Sequence, residues 1–80
     1  MYLHIGMNVY MRKERIIGIF PATILFHTPE EQPFLKDVKV IEHDVPQEEA
    51  KACILTETHE LHLSNVNCRT LRQRWNARRV

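Results

Sequence analysis

Two glycines in eighty residues exclude a glycine-rich loop that cradles phosphate, because such a loop needs several backbone positions free of a Cβ. Two cysteines are too few for a disulfide framework, and two free thiols fit a reducing, cytoplasmic setting. Long apolar runs are missing, and MYLHIGMNVYMRK has no positive segment ahead of an apolar one. Neither a signal peptide nor a membrane span is therefore expected. Internal repeats, low-complexity stretches and Gly/Ser linkers are absent too, which leaves one domain over residues 1–80.

What is present is a 44% hydrophobic content, ordinary for a globular chain. A chain this short buries only about 60–65% of the surface exposed when unfolded. A thin core with normal apolar content favours a protomer that completes its burial in a homo-oligomer. The net charge of +1 conceals an asymmetry. Residues 1–50 carry five bases against eight acids, a net −3, and residues 51–80 carry six bases against two acids, a net +4. A polyanion responds to that distribution rather than to the mean.

The stretch Ile16-Ile-Gly-Ile-Phe20, closed by Pro21, reads as a central strand covered on both faces, with the basic turn Arg12-Lys13-Glu14-Arg15 at its start. Ahead of it, Tyr2 to Ile5 and Val9 to Met11 read as a hairpin turning at Met7-Asn8. Thr28, Pro29 and Glu31 form a capping-box pattern, and with Phe34, Leu35 and Val38 they predict a short helix at about 29–38. Residues 39–42 suggest a strand, and HDVPQEEA a strongly acidic loop. Residues 51–57 and 60–64 predict a second hairpin turning near Thr58-His59. The final segment is helical, with Asn67 as N-cap. Cys68, Leu71 and Trp75 share one side of it, and Arg69, Arg72, Asn76 and Arg79 the other. The class is α+β: a small, mostly antiparallel sheet with one short middle helix and a C-terminal helix.

Cys53, His59, His62 and Cys68 have the right atoms for zinc, but C-x5-H-x2-H-x5-C matches no common finger spacing. His59 and His62 also incline to opposite faces of a strand, so unrelated core and surface roles read better. Cys68 at a helix start could be an activated thiol, yet its place on the apolar side explains it by burial. No enzyme chemistry, metal or cofactor is expected. Basic surfaces remain. Arg12, Lys13 and Arg15 crowd one turn, Lys51 starts a later strand, and arginines decorate the last helix. Some of those helix arginines only complement the helix dipole. One protomer offers few phosphate contacts, and repetition around an oligomer would multiply them.

The start MYLHIG and the stretch IIGIF resemble the RemA/RemB-like family of bacterial extracellular matrix (biofilm) regulators, more closely the RemB type. The likeness is specific over the first twenty residues and continues in element order through a hairpin and a basic terminal helix. It implies a LytTR-like fold and a cytoplasmic, ring-like homo-oligomer that binds DNA and regulates transcription of matrix genes. In RemA-like members an arginine just before the central hydrophobic strand matters for DNA binding, and Arg15 holds that place. Those members also carry an arginine pair where this chain has Glu48-Glu49, a departure that reverses the local field. The expected DNA contacts are Arg12, Lys13, Arg15 and Lys51, with Arg69 and Arg72 second. The alternative is an oligomeric scaffold, or a partner of a paralogous regulator, without direct DNA contact.

Overall fold

The structure, a computed structural model, describes residues 1–77. In order they form β1 (Tyr2–Gly6), β2 (Val9–Arg12), β3 (Ile16–Pro21), β4 (Lys39–Ile41), β5 (Ala52–Thr56), β6 (Glu60–Ser64) and α1 (Cys68–Asn76), with short 3-10 turns between. The class is α+β, with strands in two sheets and one C-terminal α-helix.

The first sheet is the β1–β2 hairpin, with Tyr2 opposite Arg12, Leu3 opposite Met11 and His4 opposite Tyr10. Its two turn residues, Met7 (φ 50°) and Asn8 (φ 60°), are both left-handed, the combination whose twist matches flanking strands. Leu3, Ile5 and Met11 point inward and are buried, and Tyr2 and Tyr10 point out.

The second sheet has the order β3-β5-β6-β4. Its centre is the 52–64 hairpin, where Cys53 faces Leu63 and Leu55 faces Leu61, and Ala52 and Ile54 project to the other side. Every residue of β5 is buried. One side packs against the hairpin and helix through Leu3, Ile5, Met11, Ile54 and Leu71. On the other side, Ile24 and Val45 from the connecting loops cover Cys53, Leu55, Leu61 and Leu63. β4 closes the sheet as a parallel neighbour of β6.

The expectation of a central strand at 16–20 is corrected. β3 pairs only with β5, and none of its residues is fully buried. A bulge between Ile16 and Gly18 leaves Ile17 unpaired and 65% exposed. Pro21 carried the signal, since a proline in a ladder is confined to an edge. The helix expected at 29–38 is also absent. Its capping box forms, with Thr28 N donating to Glu31 Oε1 at 2.8 Å and Glu31 N to Thr28 Oγ1 at 3.3 Å. Propagation then fails, because Pro33 biases the residue before it out of the helical region. Gln32 is extended (φ −134°, ψ 93°), and only a 3-10 turn, Pro33–Leu35, follows.

The terminal helix starts as its sequence predicts. Asn67 Oδ1 accepts from Thr70 N at 2.8 Å, and Leu71 is fully buried between the hairpin and the sheet. It ends at Asn76, and the expected placement of Arg79 lies outside the described residues. Among the described residues no helix is long and apolar enough to cross a membrane.

Candidate nucleic-acid interface

The basic corner is one 3-10 turn, Lys13–Arg15, between β2 and β3. Arg12 is exposed at the end of β2. Lys13 is half-buried because it caps α1: its ammonium donates to Trp75 O at 2.8 Å and lies 5.5 Å from the centre of the Trp75 ring. An ammonium near a helix C-terminus is favoured there, so Lys13 has a structural duty as well as a charge. Arg15 turns the other way. Its guanidinium donates to Thr58 Oγ1 at 3.3 Å and sits 3.9 Å from Glu60 Oε1, with the side chain 42% exposed. That contact is long and wet, so it restrains Arg15 weakly and leaves donors free.

The structure does not bring Lys51 to this corner. Arg15 lies beside Glu57 and Lys51 beside Ala22, at opposite ends of the β3–β5 ladder. Six residues of strand rise separate them by roughly 20 Å. Lys51 instead follows the exposed Gln47–Glu49 turn, so the acidic pair Glu48-Glu49 is its neighbour. Arg69 and Arg72 are exposed on α1, and Arg72 donates to Ile19 O at 2.9 Å, capping one carbonyl on the outer edge of β3.

The terminal helix adds a cation that sequence reasoning left out of the site. Arg74 reaches back to donate to His4 O at 2.9 Å, across 70 residues of chain. This sets it beside Lys13 in a groove of about 470 Å³, lined also by Tyr2, His4 and Tyr10. Alternation along β1 puts Tyr2 and His4 together on one face. What it could not show was the helix end lying beside that face.

A second polar cluster was also missed. His43 Nε2 lies 2.6 Å from His62 Nδ1, and His62 Nε2 lies 3.0 Å from Glu60 Oε1. Glu60 therefore stands between His62 and Arg15. Burial holds His62 below its usual imidazole range, opposed by its bond to Glu60. The hydrogen bond from His62 is the main reason that the Glu60 carboxyl titrates lower than usual. Cys53, considered with His62 as a zinc ligand, lies on the opposite side of the sheet from it, where burial pushes its pKa up to about 12. Neither a protein-family model nor a curated protein matches this chain.

Proposed function

We propose that this chain is a non-enzymatic, cytoplasmic regulator that binds DNA as a homo-oligomer through phosphate contacts at the β2–β3 corner. The observation that carries this reading is the cluster of Arg12 at the end of β2 with Lys13 and Arg15 in the turn that follows, and Arg74 of α1 in the groove beside Lys13. Lys13 and Arg74 face the groove while Arg15 turns to the other side of the corner, so one protomer offers few phosphate contacts on any one face and affinity scales with the number of copies. The sheet's two dissimilar edges support assembly. β3 carries the basic corner, and β4 has Lys39 within it and Lys36, Asp37, Glu42 and Asp44 beside it, two bases against three acids. Edges that differ in charge suit head-to-tail contacts, which close into rings when the rotation permits. The resemblance of the first twenty residues to RemB-type matrix regulators agrees with this reading.

An electrophoretic mobility shift at two salt concentrations tests it. Binding weakens steeply with salt and is lost in Arg15→Glu; binding that ignores both changes rejects the corner. The contact of Arg15 with Glu60 and the exposed Glu48-Glu49 favour a second reading, a scaffold or partner of a paralogous regulator without DNA contact. On that reading a pull-down recovers a protein partner, and the purified chain carries no nucleic acid at low salt.

A further inference from the structure

The outer face of the β1–β2 hairpin has a use that backbone phosphate alone does not explain. Tyr2 and Tyr10 are 65% and 63% exposed there, on a small domain that leaves few other rings in water. Cross-strand register sets Tyr2 beside Arg12 and His4 beside Tyr10. The His4 and Tyr10 rings stack, with centroids 4.7 Å apart and planes 22° from parallel, which presents a flat, rigid aromatic surface. Among the described residues the groove beneath this face is lined by Lys13, Arg74 and Met1 and by no carboxylate; Glu14, outside the lining, pairs with the Met1 ammonium at 3.4 Å. Among the described residues Lys13 spends one donor on Trp75 O and Arg74 one on His4 O, which leaves two N–H groups of the ammonium and four of the guanidinium without a partner there.

We infer that this groove binds a nucleotide, with the base lying on the Tyr10–His4 stack and the phosphate held by Lys13 and Arg74. Three features select that chemistry together. A bare inorganic anion would leave the tyrosine faces unused. An uncharged aromatic ligand would leave two cations facing nothing. A second copy seated on the same face would set Lys13 and Arg74 against their own counterparts, a like-charge contact. A ligand with a π-face and a phosphate meets both halves of the lining, and about 470 Å³ falls within the range of small-ligand sites. The nucleotide can be free or an unpaired residue of a single strand, since both present the same base and phosphate. This site deepens the polyanion reading and rests on it through the shared Lys13 and Arg74. Arg15 lies outside the groove, which keeps the two separable.

The test is calorimetric titration of the full chain with adenosine monophosphate, adenosine and inorganic phosphate. Adenosine monophosphate binds at least about tenfold tighter than either fragment; Tyr10→Ala removes about tenfold, and Tyr10→Phe, which keeps the ring, restores it. Equal affinity for the nucleotide and inorganic phosphate overturns the site, as does a Tyr10→Ala variant that binds like the wild type. Competition by a single-stranded adenine oligonucleotide assigns the ligand to an unpaired strand; no competition, with the Tyr10 dependence kept, assigns it to the free nucleotide. Arg15→Glu should abolish duplex binding and leave nucleotide binding intact. Duplex binding that survives Arg15→Glu rejects the corner alone, and loss of the Tyr10 effect rejects the groove alone.

Discussion

His43 Nε2 stands 2.6 Å from His62 Nδ1, with the two rings stacked 4.9 Å apart and 17° from parallel. A hydrogen bond between imidazoles needs one N–H and one lone pair. With His62 Nε2–H donating to Glu60, Nδ1 must accept, and His43 must supply the proton. Protonating His62 would put an N–H on Nδ1, obliging His43 to change tautomer so that its Nε2 accepts, and would add a positive charge beside Arg15, which is already paired with Glu60.

Acid should therefore loosen the protein. Burial lowers the His62 pKa in the folded state, so the unfolded chain takes up this proton first, near its ordinary value of about 6.5. Stability is complete above that value and falls as pH drops toward the folded one. Glu60, also held low, adds a loss only below about 4.5, its ordinary value. Urea midpoints at about pH 7.5, 6 and 5 should decline, with the decline shallower in His62→Gln. A wild-type midpoint that is flat over this range removes the histidine pair from the argument.

The two thiols should react in a fixed order. Cys53 is fully buried, and its pKa of about 12 keeps it protonated at neutral pH. Cys68 is only half-buried at the start of α1. Iodoacetamide on the native protein should modify Cys68 and spare Cys53 until denaturant is added. Peptide mapping that finds Cys53 modified first would place it somewhere other than this core.

The two glycines should differ in what they tolerate. Gly6 has φ +101°, and a Cβ there would run into the Asn65 side chain. Gly6→Ala should cost about 1–3 kcal/mol by chemical denaturation. At Gly18 the added Cβ would meet only the Phe20 ring, at 2.9 Å and without a positive φ, and that ring can turn. Gly18→Ala should cost less, and the reverse order would contradict the hairpin geometry.

Both hairpins and the capped helix were legible because they depend on local signals: the period of two in residues 60–64, the Met7-Asn8 turn and the Asn67 cap. The position of β3 was not, because an apolar run fits an edge as well as a centre, and Pro21 had to outweigh it. Nor was the loss of the 29–38 helix, since one proline after a well-formed cap decides whether the next turn propagates. Two sheets could not be told from one, because alternation does not name a strand's partner. Of the interface, the Arg12–Arg15 turn is contiguous in the chain and could be read directly. The groove depends on Arg74 reaching His4, and the polar cluster on His43 meeting His62; no local pattern encodes either meeting.

The corner's role is tested most directly by the salt dependence of duplex binding, followed by fluorescence anisotropy in the wild type and in Arg12→Gln/Arg15→Gln. Both side chains are solvent-accessible, so the double variant should fold normally. If they meet phosphates, the slope of log affinity against log salt becomes shallower by about 2 for each protomer engaged. A slope identical to the wild type's would show that phosphate binds elsewhere, and the account of the corner would fail.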